Sequence, residues 1–294
     1  MKRFLYATNG GKPAQDAGVL VRRFAGSGKV RVTVDICKSI DFAFPQEGWA
    51  YGVERKARPQ PDELAATEVA AFKAAGFEAD SLIGSGVPAL QILEQMGRGG
   101  YELAVLGAGS AKWMNNLLLG STSTRILHSS KASVLIVHHH TDGPGPVRII
   151  LATDRSEDAT EAVRQLIDFA DPARVAVTVV SVADEVPTIQ RLVPDGLTSA
   201  QVGEYLQEEA RKSVELAAGP LREAGFQVTE ACPTGDPVRE LLALAKEMDL
   251  VVCGSRGMGG PSRLVLGSVS DQLARLAPAT MVCRKAGSDP ATGG

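Results

Sequence analysis

The chain has 294 residues and a formal net charge of −3, with 44% hydrophobic and 22% charged residues. These values are ordinary for a globular protein, and the scattered basic residues form no patch that would favour nucleic acid as a partner. No apolar run approaches the roughly 20 residues that a membrane span needs, and no signal-peptide core follows Met1. We therefore expect a cytoplasmic protein that binds neither nucleic acid nor membrane.

Apolar, β-rich runs alternate with segments of helical periodicity along the chain, which is typical of parallel βαβ units. In the first half, strands are predicted at 3–8, 30–37, 78–82, 102–106 and 133–138. In the second half, strands are predicted at 148–153, 175–182, 227–232, 249–253 and 279–284, with helices at 157–170, 203–224, 237–247 and 267–276. Right-handed crossovers then place helices on both faces of a five-stranded parallel sheet in each half, an α/β doubly wound fold.

The two halves repeat one another. Residues 3–9 (RFLYATN) recur as residues 148–154 (RIILATD), and LLGS at 118–121 recurs as VLGS at 265–268. The offset is 145 residues for the first pair and 147 for the second, so the same domain occurs twice in the chain.

A Pro- and Gly-rich stretch, 138–146, joins the two copies. It predicts a first domain at 1–142 and a second at 143–286. Residues 287–294 carry no apolar anchor and are predicted to form a disordered tail.

The most informative motif follows the fourth predicted strand of the second half. Residues 254–268 read GSRGMGGPSRLVLGS, with glycine at 254, 257 and 267 and serine at 268. Gly254 and Gly257 let the backbone turn with its N–H groups uncovered, and Gly267 opens a helix whose free amides attract anions. The sequence predicts a phosphate-binding loop; a packed turn before a capped helix is the alternative.

This spacing resembles the nucleotide-binding signature of the universal stress protein family. The resemblance implies the strand order 3-2-1-4-5 and an adenine nucleotide as ligand, ATP first, with or without Mg²⁺. It places Asp154 beside the nucleoside and the backbone of Val182 at the adenine, whereas a helix N-cap is the structural alternative for Asp154. The predicted nucleotide-binding residues are Asp154, Val182, Gly254, Gly257, Gly267, Ser268, Val269 and Ser270.

The first half departs from this pattern at two positions. Asn9 stands in place of Asp154, and Ser110 stands in place of Gly257. An Asn brings no charge to a metal-assisted site, and a side chain where positive φ is needed costs on the order of 1 kcal/mol. We therefore predict a weakened or lost site with the members Asn9, Ile36, Gly107, Gly120 and Ser121.

Other chemistries find little support. The four cysteines have no CxxC spacing, which favours buried reduced thiols, and no metal site is predicted. Gly26-Ser-Gly-Lys29 resembles a P-loop, but Arg23 and Val30 occupy positions that the motif reserves for glycine and a hydroxyl residue. No catalytic residue is assigned.

Three functions stay open at this stage. The first is a tandem universal stress protein that binds ATP mainly in its C-terminal half and acts in stress-response signalling. The second is a slow metal-dependent ATPase or nucleotidyl-transfer enzyme, and the third is a purely structural interaction module. In this family the fifth strands of two copies commonly meet, which implies an intramolecular pseudo-dimer through 133–138 and 279–284. The sequence leaves open a further homodimer and the identity of protein partners.

Overall fold

The computed structural model describes residues 1–39, 60–109, 119–140, 142–185, 198–257 and 266–285. In the first half the elements are β1 Lys2–Ala7, α1 Lys12–Phe24, β2 Val30–Ser39, α2 Pro61–Ala74, β3 Glu78–Gly86, α3 Pro88–Gly99, β4 Leu103–Gly107, α4 Ser121–Ser129 and β5 Ser133–Val137. In the second half they are β6 Val147–Ala152, α5 Glu157–Phe169, β7 Val175–Val180, α6 Ser199–Glu223, β8 Gln227–Ala231, α7 Pro237–Ala245, β9 Leu250–Gly254, α8 Ser268–Leu276 and β10 Ala279–Cys283. The predicted tail and Ser110 lie outside the described residues.

All ten strands join one sheet in the order β3-β2-β1-β4-β5-β10-β9-β6-β7-β8. Within each half the five strands are parallel and follow the order 3-2-1-4-5, which confirms the predicted fold. The ends of single elements differ from the prediction. β3 continues to Gly86 because it pairs with β2 as far as Ser39, and α6 begins early because Thr198 and Gln201 form a capping box.

The halves meet at β5 and β10, which pair antiparallel with Ala279 opposite Val137 and Val282 opposite Val134. Every residue of both strands is buried. Arg284 strengthens the seam, since its side chain donates to the Leu127 carbonyl oxygen at 2.6 Å. The strand pairing expected for a pseudo-dimer is therefore present within the chain, and it covers two sheet edges that would otherwise be open.

Different helices cover the two faces of the sheet. One apolar cluster holds buried residues of α1, α2, α5 and α6, and the other holds those of α3, α4, α7 and α8. Both clusters run through both halves. Phe4 of β1 meets Phe169 of α5 edge to face, with ring centroids 4.9 Å apart, so the halves share a core as well as a sheet. Among the helices of the described ranges, none combines the length and the apolar character needed to cross a membrane.

Candidate functional site

A cavity of about 860 Å³ opens at the carboxyl ends of the second-half strands. It lies between the loops after β6, β7 and β9 and the first turns of α7 and α8, where open α/β sheets bind ligands. The structure brings together around it all eight residues predicted to bind nucleotide: Asp154, Val182, Gly254, Gly257, Gly267, Ser268, Val269 and Ser270. Their binding of a nucleotide stays a prediction.

Gly254 ends β9 against the first turn of α5. A Cβ at this position would lie 2.6 Å from the carbonyl carbon of Asp158, so only glycine lets the helix pack this closely on the strand. Gly107 has the same function in the first half, where a Cβ would lie 2.5 Å from the Ala14 nitrogen. The first glycine of the motif is therefore explained by packing in both halves.

Gly257 is explained by its neighbour Asp154. A Cβ on Gly257 would lie 2.6 Å from Asp154 Oδ2, whereas the backbone of Gly257 is outside the left-handed region. The expectation of a positive φ at this position is wrong, and a side chain here would instead displace the Asp154 carboxylate. Its predicted counterpart Ser110 is outside the described part of the chain.

Asp154 follows β6 and lies at the cavity. Its Oδ1 accepts a hydrogen bond from the Ser156 backbone nitrogen at 3.0 Å. The N-cap of α5 is Ser156, whose hydroxyl accepts from the Ala159 nitrogen at 3.1 Å. The structural alternative for Asp154 as the helix N-cap is therefore wrong. Its carboxylate instead braces the turn that leads into α5, beside the cavity.

Arg155 is a cavity residue that the sequence analysis missed. It has a φ of 66°, the only positive φ of a non-glycine residue within the described ranges, and its guanidinium pairs with Glu209 of α6, which also lines the cavity. A left-handed backbone is strained for a residue with a side chain, and residues held in this conformation cluster at functional sites. The residue at the equivalent position of the first half is Gly10, which has a φ of 73°. A glycine at that position of the repeat was the sequence signal for left-handed backbone at Arg155.

One end of the cavity is formed by the start of α8. Gly267 is the N-cap and supplies no side-chain cap, so the amides of the first turn are available to an anion. The Ser270 hydroxyl is buried and donates within the protein, 2.9 Å from the carbonyl oxygens of Ser255 and Gly267. Among the predicted hydroxyl donors, Ser268 is therefore better placed than Ser270.

Arg256 is held at the same end by Asp158. Its Nε lies 3.0 Å from Asp158 Oδ2, and this hydrogen bond raises the pKa of Arg256. Asp158 is buried and also accepts from the Ser255 hydroxyl at 2.6 Å. The second arginine of the motif, Arg263, lies outside the described residues. Arg256 thus brings a fixed positive charge to the cavity, already paired with a carboxylate.

The opposite wall is apolar and includes Val180, Val182, Leu241 and Cys253. Burial raises the pKa of the Cys253 thiol to about 12, so this cysteine stays a neutral thiol at physiological pH. All four cysteines are free. No group of His, Cys, Asp and Glu side chains suited to a metal ion occurs among the residues that the structure describes.

The equivalent cavity of the first half is much smaller, about 240 Å³. Asn9, Gly107, Gly120 and Ser121 line it, as predicted for the weaker site, but Ile36 does not. The assignment of Ile36 is wrong because of strand register.

The register is defined by the pairing of the central strands. Ala7 pairs with Asp35, and Ala152 pairs with Val180 in the same way, so Val182 corresponds to Cys37. A shift of one residue along a strand turns the side chain to the other face. Cys37 lines the first cavity, whereas Ile36 belongs to the opposite core cluster.

Asp35 places a buried carboxyl in the wall of the first cavity, where the second has Val180. Its Oδ1 accepts from Gln91 Nε2 at 2.6 Å, and burial raises the pKa of Asp35. Asp35 Oδ2 and Gln91 Oε1 are buried atoms without a hydrogen-bond partner among the described residues. A protonated carboxyl has a hydroxyl that can donate a hydrogen bond, which the ionised form lacks.

Two five-stranded doubly wound domains joined edge to edge, each with a crevice at its strand ends, define a tandem α/β protein. The model of the Universal stress protein family matches residues 1–138 and 147–285. The chain therefore belongs to this family and carries its domain twice. The predicted boundary at 143 falls between the two matched segments and stays a prediction.

Relatives in mycobacteria share the family. The chain is 27% identical over 221 residues to a universal stress protein of Mycobacterium tuberculosis, across 74% of this chain and 71% of the relative. It is 30% identical over 178 residues to a universal stress protein of Mycolicibacterium smegmatis, across 60% of this chain and only 59% of the relative.

Solved structures share the fold over nearly the whole chain. A universal stress protein from Archaeoglobus fulgidus is 20% identical, with 96% of this chain and 98% of the other covered and a TM-score of 0.58. A putative universal stress protein from Pseudomonas aeruginosa is 14% identical, with 97% and 93% covered and a TM-score of 0.63.

Proposed function

We propose that this chain binds an adenine nucleotide, ATP first, in the second-half cavity and acts as a regulatory module in a stress response. The proposal is carried by one observation: the eight residues predicted from the motif and the family resemblance surround a single cavity with an amide-rich end and an apolar wall. Each part of a nucleotide finds a suitable partner there.

The phosphates would lie at the start of α8. Ser268, Val269 and Ser270 offer backbone amides without a side-chain cap, and the helix dipole favours an anion at this end. The Gly267 amide already donates to the Ser255 carbonyl oxygen at 2.8 Å, so Gly267 contributes by leaving the helix start uncovered. Arg256 adds a positive charge nearby. The Ser268 hydroxyl adds a further donor to a terminal phosphate.

The nucleoside would lie toward β6 and β7. Asp154 at the end of β6 accepts hydrogen bonds from the ribose hydroxyls, and Val182 follows β7 beside the apolar wall formed by Val180 and Leu241. A cavity of about 860 Å³ is of the size that holds small organic ligands, roughly 300–1,000 Å³, whereas the 240 Å³ of the first half is below that range.

The ion pairs of the cavity arginines favour binding over catalysis. Arg155 is paired with Glu209 and Arg256 with Asp158, so both described arginines at the cavity already neutralise carboxylates. Phosphoryl transfer needs cations that act on the transferring group and a residue that orients water. Any ATP hydrolysis, with or without Mg²⁺, is expected to be far slower than the roughly 10 s⁻¹ typical of enzymes.

The direct test is to denature the purified protein and identify released nucleotide by chromatography, then to titrate the nucleotide-free protein with ATP, AMP and GTP. We expect adenine nucleotides to be released and to bind in preference to GTP. A protein that releases no nucleotide and binds none would favour a purely structural module.

A turnover assay with Mg²⁺ separates the binding module from the enzyme. We expect nucleotide to remain intact over many minutes. Turnover near 10 s⁻¹ that falls in Asp154→Asn would establish the enzymatic alternative instead.

A further inference from the structure

Among the described residues that line the second-half cavity, His128 comes from the first half. His128, in the last turn of α4, lines it together with the first turn of α8. The seam between β5 and β10 places α4 of the first half near α8 of the second, so the imidazole crosses the boundary between the two domains.

The contacts of His128 place it at the phosphate end. Its Nε2 lies 3.3 Å from Asp271 Oδ1, and Asp271 belongs to the same first turn of α8 as Ser268. Arg275 holds the same carboxylate, with its Nε 2.8 Å from Asp271 Oδ2 and its Nη2 3.1 Å from Asp271 Oδ1, and its Nη2 lies 3.5 Å from His128 Nε2. The imidazole thus stands against a carboxylate that is itself fixed by an arginine.

This arrangement orients the ring. A carboxylate that accepts from one ring nitrogen determines which way the other nitrogen points. Within the described residues, His128 makes its contacts through Nε2, and its Nδ1 has no hydrogen-bond partner. The side chain is 43% exposed, so it can adjust to a ligand without disturbing the core.

The negative charge of Asp271 at this end of the cavity favours a hydrogen-bond donor such as His128 between it and a phosphate. Asp271 lines the cavity and would repel a phosphate chain that extends past the helix start. Arg275 neutralises one carboxylate, and each further phosphate group adds negative charge. With Nε2 facing Asp271, the Nδ1 of His128 is the ring nitrogen that can donate to a terminal phosphate.

We propose that His128 of the first domain binds the terminal phosphates of the nucleotide held in the second domain, and so selects a nucleotide with an extended phosphate chain. This inference rests on the proposed function of the cavity and adds the residue that reads phosphate-chain length. It also makes the second site dependent on the first domain, because the second domain alone lacks this side chain.

α4 contacts both cavities. Its first turn, with Gly120 at the N-cap and Ser121 following, lines the first-half cavity, and His128 in its last turn lines the second. The nine-residue helix spans about 13 Å between them. His128 is therefore held by a rigid element of the first domain rather than by a loop.

The test measures ATP and AMP affinities by calorimetry in the full chain, in His128→Asn and in His128→Lys, with His139→Asn as the matched control outside the cavity. We expect His128→Asn to bind ATP about five-fold more weakly while AMP affinity is unchanged, as for loss of a partly exposed charge-assisted contact. The permanently charged His128→Lys should retain the preference for ATP, and His139→Asn should match the wild type.

Two outcomes overturn the inference while leaving the proposed function intact. In the first, His128→Asn binds ATP as tightly as the wild type. In the second, it loses ATP and AMP affinity equally, which indicates a structural effect. Failure of the wild-type protein to bind either nucleotide contradicts the proposed function itself, and this inference with it.

Discussion

The two cavities lie at equivalent places in two copies of one fold, yet their walls differ. Thr8 corresponds to Thr153, Asn9 to Asp154, Asp35 to Val180, Cys37 to Val182, Ile92 to Leu241, Gly107 to Gly254, Gly120 to Gly267 and Ser121 to Ser268. The glycines that shape the backbone are kept. The Thr and Ser side chains are also the same, whereas Asn9, Asp35, Cys37 and Ile92 differ from their counterparts, and the volume falls from about 860 to about 240 Å³.

The comparison separates two functions of a glycine-rich motif. Gly254 and Gly107 have the same packing environment, so this glycine maintains the fold whether or not a ligand binds. Asp154 and Val180 are replaced in the first half by Asn9 and Asp35. We therefore expect these two positions to account for a difference in nucleotide affinity between the cavities. A shared motif therefore predicts a shared backbone, and the wall residues decide whether it holds a nucleotide.

The largest expected effect comes from placing a carboxylate at one helix start at a time. Gly267→Glu should weaken ATP binding by more than about 100-fold, because an anion would occupy the phosphate position at the N-terminus of α8. Gly120→Glu makes the same change at α4 and should leave ATP affinity within about two-fold. Calorimetric titration of both variants with ATP measures the two affinities. Equal losses of ATP affinity in the two variants would contradict the asymmetry between the cavities.

The glycines that end β4 and β9 should have matching effects on stability. Gly107→Ala and Gly254→Ala each place a Cβ within 2.6 Å of helix backbone. We expect each to lower the free energy of unfolding by about 2 kcal/mol, as overpacking does. Urea denaturation measures it. A variant that keeps full stability would show that its glycine is retained for a ligand.

Asp35 makes the stability of the first half depend on pH in a way that Val180, its counterpart, cannot. Burial raises the pKa of Asp35 in the folded state above its unfolded value, so its contribution to stability is present at low pH and is lost as pH rises through the folded pKa. Asp35→Asn should therefore raise the free energy of unfolding at pH 7 by about 1 kcal/mol, because a neutral amide avoids the burial cost of a carboxylate.

The same pair of proteins at low pH is the control for Asp35. Near the unfolded pKa of an aspartate, about 4, the difference between wild type and Asp35→Asn should shrink, since the native carboxyl is then protonated. A gain that is equally large at both pH values would show that folding does not raise the pKa of Asp35, and a loss at pH 7 would show that the ionised carboxylate is stabilised in the folded protein.

The smallest effect concerns Cys37, which lines the first cavity. If ATP occupies only the second, alkylation of Cys37 should proceed within about two-fold of the same rate with and without ATP, since the thiol is far from the ligand. The assay needs a Cys232→Ser background, because Cys232 is also partly exposed. Strong protection of Cys37 by ATP would place a nucleotide in the first half.

The sequence predicted the fold because its signals are local and repeated. Alternating strands and helices, and the recurrence of RFLYATN as RIILATD, give the strands of both halves within a few residues. The glycines of the motif mark the strand end and the helix start directly. The strand order came from family resemblance, since periodicity does not determine which strands are neighbours.

The parts that the sequence could not provide depend on register and on contacts between the halves. The sequence predicts Ile36 in the first site, where the structure has Cys37, because the face that a strand residue occupies cannot be read from an apolar run that is buried on both sides. His128 reaches its cavity only through the pairing of β5 with β10, far from the motif in sequence. The space beside Asp154, rather than a positive φ, explains Gly257.

The central claim is that one of the two equivalent cavities binds nucleotide. Calorimetric titration of the nucleotide-free full chain with ATP tests it most directly, with the Gly267→Glu variant titrated alongside. We expect one ATP per chain in the wild type and none in Gly267→Glu. Two equal sites per chain, or one site that survives Gly267→Glu, would contradict the account.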